Sequence, residues 1–323
     1  MSFKKALPIN KLLTKALIAV VTTFSLSSFS VAQANSCSEV RFSDVGWTDI
    51  TATTAITTEI VKGLGYSPKT QLLSVPVTYN SLASGELDVF LGNWMPTMEA
   101  DIAKYRAEGT VETVRTNLEG AKYTLAVNQA AYDGGVRSFA DIVKYKKKFR
   151  SRVYGIEPGN DGNRLIQDML DQNAFGLKGF KLIESSEAGM LSEVQRAERR
   201  NSWVVFLGWE PHPMNSNFAI EYLDGGDDWF GPNFGGATVL TNTRKNYSQE
   251  CPNMGKLLNN LEFTLAMENE VMGAILNDNK KPQQAAKEWL QNNPAALNGW
   301  LKGVNTLDGK PGLKAVKSYL AIQ

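Results

Sequence analysis

Two stretches of this chain repeat one short pattern. Val89-Phe90-Leu91-Gly92 leads to Trp94 and Pro96, and Val205-Phe206-Leu207-Gly208 leads to Trp209 and Pro211. In each, an apolar run of strand length ends at a glycine, with a tryptophan just beyond. Each also sits inside the same alternation of strand and helix patterns. In the first region, residues 40–45 read as a strand. Ala52, Ala55, Ile56, Ile60 and Leu64 then mark one helix face, stopped by Gly63 and Gly65. A strand over 70–77, a short helix over 79–84 and a strand over 88–91 follow. The second region gives a strand over 152–156, a helix opening near Asn163, a helix over 191–199 and a strand over 203–207. Such alternation builds mainly parallel sheets covered by helices, so two α/β lobes are expected. Residues 227–236, with Gly231, Pro232, Gly235 and Gly236, read as the return crossing to the first lobe. A strand over 237–241 follows, then a helical tail in which Trp289 and Trp300 are packing residues.

The N-terminus is expected to send this fold outside the cytoplasm. Lys4, Lys5, Lys11 and Lys15 precede the apolar Ala16-Leu17-Ile18-Ala19-Val20-Val21, and Ala32-Gln33-Ala34 suits cleavage after Ala34. Thr22, Thr23, Ser25 and Ser27 interrupt the apolar stretch, whereas a membrane-spanning helix needs about 20 predominantly apolar residues. Asn35-Ser36-Cys37 is a poor lipoprotein signal. Residues 1–34 are therefore expected to be a removed signal peptide, leaving the mature chain free in the periplasm. Removal takes away four lysines and no acids, so 34 basic against 33 acidic residues become 30 against 33, net −3. Nothing in that balance suggests a nucleic-acid partner. The one basic run, 144–152, reads as the solvated face and exit of a helix. Cys37 and Cys251 are the only cysteines. In an oxidising compartment they are expected to pair, with two buried thiols as the alternative. Closing so long a loop stabilises a fold by up to about 5 kcal/mol. The remaining length, about 290 residues, exceeds the usual size of a single core.

Trp47, Trp94 and Trp209 all follow predicted strands, beside Gly46, Gly92 and Gly208, and Tyr123 opens the apolar run Tyr123-Thr124-Leu125-Ala126-Val127. Open α/β sheets bind ligands outside the carboxyl ends of their strands. One tryptophan there is ordinarily core, but three at equivalent ends point to a cleft. A box of aromatic faces suits a quaternary ammonium, which has no N–H to donate and whose diffuse charge is attracted by ring faces. Each contact is worth about 0.5–1 kcal/mol when exposed and about 2 when desolvated. Four rings can therefore sustain micromolar binding, which needs about 8 kcal/mol, even after closure costs. A sugar site would add many polar residues around the rings, and these segments offer few.

Four motifs carry a family resemblance: Gly46-Trp47-Thr48-Asp49, Leu91-Gly92-Asn93-Trp94-Met95-Pro96, Gly155-Ile156-Glu157-Pro158-Gly159-Asn160 and Gly208-Trp209-Glu210-Pro211-His212. In this order, over nearly all the mature chain, they resemble the choline and glycine-betaine substrate-binding proteins of ABC importers, the choline branch most. The resemblance implies a type II periplasmic-binding-protein fold, with two lobes of mainly parallel sheet joined by two crossings and the ligand between them. The lobes are expected at 35–125 with 233–323, and at 126–232. The resemblance also implies an aromatic box of Trp47, Trp94, Tyr123 and Trp209. Asp49 and Asn160 match the positions that hold the alcohol end, and Cys37 with Cys251 matches a disulfide. The expected partners are choline, with acetylcholine as a second candidate, and the permease of an ABC importer. A monomer is expected, with no cofactor and no metal. Pro213 departs from the pattern, since relatives often carry an aromatic residue there.

Asp49 separates the branches on physical grounds. A carboxylate accepts from choline's hydroxyl and balances its cation, but repels the carboxylate of glycine betaine. Its alternative role is a helix N-cap. The main rival reading is a betaine or carnitine receptor on the same fold, which needs a cationic or backbone-amide site for a carboxylate. A sensor domain would need a transmembrane continuation. A hydrolase of choline esters has little support: His212 is the single histidine, and no Gly-x-Ser-x-Gly elbow, phosphate loop or His-rich spacing is present. Glu157, Asp161 and Glu210 are expected to be solvated loop charges, not an acid/base pair. The chain is therefore expected not to be an enzyme.

Overall fold

The computed structural model describes residues 37–322, so the signal-peptide reading of 1–34 lies outside the described residues. One mixed sheet runs through the molecule in the order β2-β1-β3-β9-β4-β7-β5-β6. Its strands are β1 Glu39–Asp44, β2 Ser67–Leu72, β3 Val89–Met95, β4 Val111–Asn128, β5 Arg152–Tyr154, β6 Lys181–Ile183, β7 Val205–Glu210, β8 Ile220–Tyr222 and β9 Gly236–Arg244. At one end β1 pairs in parallel with β2 and β3, and at the other β5 pairs in parallel with β6 and β7. The two parallel groups match the mainly parallel sheets expected of the fold. The long strands β4 and β9 cross between them antiparallel to their neighbours. β3 and β7 are buried along almost their whole length, as strands covered on both faces must be.

The helices that matter for the site are α1 Thr48–Gly63, α2 Val75–Ser84, α3 Glu99–Ala107, α4 Asp161–Asp171, α5 Glu187–Arg199, α6 Leu265–Leu276 and α7 Pro282–Asn292. The sequence offered α1 a single apolar face, yet all but three of its 16 residues are buried. The helix lies between the sheet and the α6–α7 layer of the C-terminal tail. Its buried threonines are tolerated because their hydroxyls bond back to the preceding turn: Thr53 to the Asp49 carbonyl at 3.1 Å, Thr57 to Thr53 at 2.8 Å and Thr58 to Ala55 at 3.0 Å. The helix ends at Gly63, and Gly65, at φ +85°, turns the chain into β2.

Two sequence expectations shift. The strand foreseen over 70–77 stops at Leu72, and α2 begins at Val75 with Pro76 in its first turn, a position where proline's missing N–H costs nothing. Trp94 and Trp209 do not stand beyond their strands. Trp94 pairs with Val239 of β9 and Trp209 with Tyr123 of β4, because the crossing strands prolong each ladder past the glycine. Cys37 and Cys251 form a disulfide, tying the start of β1 to the head of the helix Pro252–Asn260. Trp289 and Trp300 stack on each other at 6.1 Å in the tail, as packing residues should.

Candidate functional site

Four aromatic rings converge where the parallel strands end and β4 crosses. Trp47 occupies the turn from β1 into α1. Gly46 before it takes φ +84°, a conformation that glycine adopts without strain, and the Trp47 indole N–H donates to Glu157 Oε1 across the cleft. Trp94 on β3 donates from Nε1 to Asp49 Oδ2 at 3.1 Å. Tyr123 on β4 donates from its hydroxyl to Asn160 Oδ1 at 2.9 Å. That approach depends on Gly162, where a Cβ would lie 2.1 Å from the tyrosine oxygen. Trp209 on β7 meets His212 edge-on at 4.9 Å. Tyr123 stands between the strand tryptophans, 5.9 Å from Trp94 and 6.4 Å from Trp209. With Asp49, Ile156, Asn160 and Asp161 the rings line one small cavity. No lining residue is more than 5% exposed.

The cavity's charge comes from helix N-termini. Asp49 is the second residue of α1 and Asp161 the first of α4, where the helix dipole favours an anion by about 0.3–1 kcal/mol. Burial outweighs that help. It raises the Asp49 carboxyl to about 8, with the nearby Glu187 charge adding to the rise and the Trp94 hydrogen bond opposing it. Burial likewise raises Asp161 to about 7. Among the described residues, no lysine, arginine or histidine lines the cavity. Ring faces and carboxylates without a counter-ion of their own can hold a cation.

The sequence matches the family described as substrate binding domain of ABC-type glycine betaine transport system over residues 38–292. The chain belongs to that family. Among solved substrate-binding proteins, an ABC-transporter choline binding protein in complex with choline is 61% identical, covers 88% of this chain and 99% of its own, and superposes with a TM-score of 0.88. An ABC-transporter choline binding protein in an unliganded semi-closed conformation is also 61% identical. It covers 89% of this chain and 100% of its own, with a TM-score of 0.83. The lactococcal glycine-betaine-binding OpuAC, closed and liganded, is 27% identical over 81% of this chain and 98% of its own, with a TM-score of 0.74.

In this substrate-binding domain the structure brings Trp47, Asp49, Trp94, Tyr123, Asn160 and Trp209 together around one cavity. Asp49 is not the N-cap of α1. That position belongs to Trp47, and the carboxylate turns to Trp94 instead. Asn160, by contrast, is a cap: its Oδ1 accepts the Asn163 N–H at 3.0 Å as well as the Tyr123 hydroxyl. Three acids expected to be solvated loop charges are otherwise placed. Asp161 is 1% exposed and lines the cavity, Glu157 is half-buried against Trp47, and Glu210 pairs with Lys122 at 3.0 Å. No spacing in the sequence separates a first-turn acid facing solvent from one facing a cleft. Pro213 does not line the cavity.

Sequence reading also passed over Glu187, which ties α5 to the start of α1. Leading α5, it accepts the Thr48 N–H at 2.9 Å and the Thr48 hydroxyl at 2.6 Å, so it caps α1 from a segment 139 residues away in the sequence. His212 holds it from behind. Met214 N–H donates to His212 Nδ1 at 2.8 Å, which leaves Nε2 to donate to Glu187 at 3.0 Å. Burial would raise the Glu187 carboxyl, but the hydrogen bonds from His212 and Thr48 prevail and hold it below its ordinary value. Arg164 of α4 makes a second tie, to the Thr97 carbonyl at 2.9 Å and Asp101 at 3.0 Å.

Proposed function

We propose that this chain is an exported receptor that closes around choline in the periplasm and hands it to the permease of an ABC importer, without chemical turnover. One observation carries the reading: four aromatic rings and two carboxylates share an enclosed cavity with no cationic side chain in its wall. A trimethylammonium group satisfies those faces, worth about 2 kcal/mol per desolvated ring, and balances the buried negative charge. Choline's hydroxyl then reaches Asp49 or Asn160. Glycine betaine fits less well, because its carboxylate would meet Asp49 and Asp161 with no cationic partner among the lining residues. That contrast favours the choline relatives over the betaine relatives of the same family.

The lobes, 35–125 with 233–323 and 126–232, move as two bodies about the crossing strands, and the arrangement here is the closed one. Glu187–Thr48, Glu157–Trp47 and Arg164–Asp101 all bridge them. The higher TM-score to the choline-bound relative than to the semi-closed one supports that reading. Titration calorimetry of the purified mature protein with choline, acetylcholine, carnitine and glycine betaine tests it. Choline should bind in the micromolar range and remain unchanged on incubation. Tighter binding of betaine than of choline sinks the assignment.

A further inference from the structure

We infer that Asp161 is a second ligand-facing anion of the cavity, and that with Asp49 it makes capture of a cation an exchange for a proton. The inference rests on the quaternary-ammonium reading above and adds a linkage to it. Asp49 and Asp161 approach the cavity from opposite lobes, each from a helix N-terminus. Each has one oxygen engaged: Asp49 Oδ2 by the Trp94 indole at 3.1 Å, and Asp161 Oδ1 by the Asn160 amide at 3.1 Å. The other oxygen of each, Asp49 Oδ1 and Asp161 Oδ2, is buried with no hydrogen-bond partner. Both residues are 1% exposed. The pair is thus a built receptor for positive charge, with one open acceptor on each side.

The surroundings do not neutralise it. Asp49 faces the buried acids Glu187 and Glu268, against the Trp94 indole and the first backbone N–H groups of α1. Asp161 faces the Thr97 hydroxyl, which favours its ionised form without offsetting burial, the buried hydroxyl of Tyr123, and Asp101 and Arg164, which are already paired with each other at 3.0 Å. Two bare carboxylates in an enclosed, ring-lined cavity carry a large desolvation cost unless a cation joins them. The accessible escape is to hold a proton, and burial raises both groups into the range where they do so at neutral pH. When the ammonium enters, it favours the ionised forms. The carboxyl proton leaves to the buffer, and a carboxylate–cation contact replaces the O–H. Charge balances: one cation in, about one proton out. A zwitterion brings no net charge and cannot drive this exchange, which makes Asp161 a determinant of selectivity beside Asp49.

The sign follows from linkage. Ligand binding releases protons only where the free protein holds them. Affinity should therefore rise with pH through about 7 to 8, where the two carboxyls ionise in the free protein, and level off only about a unit above that. In the free protein both groups titrate above their unfolded value. Their stabilising contribution is complete below about pH 4 and is lost as pH rises through about 7 to 8. The cation should restore most stability over that same upper range.

Calorimetry with choline, and with tetramethylammonium as a cation lacking the hydroxyl, tests the inference in two buffers of different ionisation enthalpy at about pH 7. The wild-type protein should release about one proton with either cation. It should also bind choline at least about tenfold more weakly at about pH 6 than at about pH 8. Asp161→Asn should reduce the proton count, flatten the pH profile and narrow the choline-to-betaine ratio. Asp161→Glu should retain proton release. If Asp161 merely steadies the first turn of its helix, Asp161→Asn would lower affinity equally at every pH and leave the count unchanged, and the inference falls. Should the Asn variant not fold, the wild-type count still decides: zero protons released with choline bound overturns the exchange. Failure of the wild-type protein to bind choline at any pH would instead remove the receptor assignment itself.

Discussion

The repeated segments that organise the sequence present their tryptophans to one cavity by different means. Val205-Phe206-Leu207-Gly208-Trp209 runs straight, and Trp209 follows Leu207 by two residues on an unbroken ladder with β4. Val89-Phe90-Leu91-Gly92-Asn93-Trp94 carries one extra residue, and the register of β3 against β9 slips between Phe90 and Asn93. Strict alternation would turn a ring three residues after Leu91 to the opposite face, and a bulge absorbs that residue and re-aims it. Both segments then continue through cis X-Pro bonds, Met95–Pro96 and Glu210–Pro211. What differs is the anchoring. Trp94 is fixed by a hydrogen bond to a buried acid of its own lobe, whereas Trp209 is fixed by ring edges of Tyr123 and His212. Equivalent positions in the sequence therefore have unequal energetic roles.

Replacing the two rings in turn should expose that inequality. Trp94→Ala removes a ring face, worth about 2 kcal/mol when desolvated, and strips Asp49 of its donor, worth about 1.5–3 kcal/mol for a charged acceptor. Choline affinity should fall by roughly 10³-fold. Trp94→Phe keeps a face and loses the donor, so it should recover only part of the loss. Equal affinities for Trp94→Phe and wild type would show that the indole N–H contributes nothing. Trp209→Ala should cost about 1.4 kcal/mol or somewhat more, about tenfold. Leu at that position should recover little, since it restores apolar area without the ring's quadrupole. If the two alanine variants weaken binding equally, the asymmetry of anchoring has no energetic meaning.

The same contrast marks how far the sequence could be read. The rings were legible because tryptophans at strand ends beside glycines are a pattern in one dimension, and the alternation of strand and helix located those ends. The disulfide was legible because only two cysteines exist. The threonine-rich burial of α1 was not, since hydroxyls that bond back to their own helix look polar in a list of residues. Nor were Asp161 and Glu187. Each is an acid in a first turn, ordinarily a solvated helix start, and only the packing of segments far apart in the sequence turns one into cavity wall and the other into a cap on α1. Function that depends on two lobes meeting leaves no periodic trace in either.

The smallest effect should come from that cross-lobe cap, and it should differ in kind from the ring variants. Thr48→Val is nearly isosteric. It keeps the backbone N–H to Glu187 and removes only the hydroxyl bond at 2.6 Å. Thr48 does not line the cavity, so the variant leaves the ligand's contacts intact and acts only on the stability of the closed form. The net worth of such a bond, after water replaces it in the open form, is about 1 kcal/mol, and apparent affinity scales with the fraction of protein able to close. Choline should therefore bind about fivefold more weakly, chiefly through faster release, and glycine betaine should weaken by the same factor. Stopped-flow release rates and paired titrations of the two ligands measure this. A change in the choline-to-betaine ratio would mean that the cap reaches the ligand through its neighbour Asp49. An unchanged affinity would mean that Glu187 holds α1 equally well when the lobes are apart, and that the work of closure rests on the rings and on Arg164.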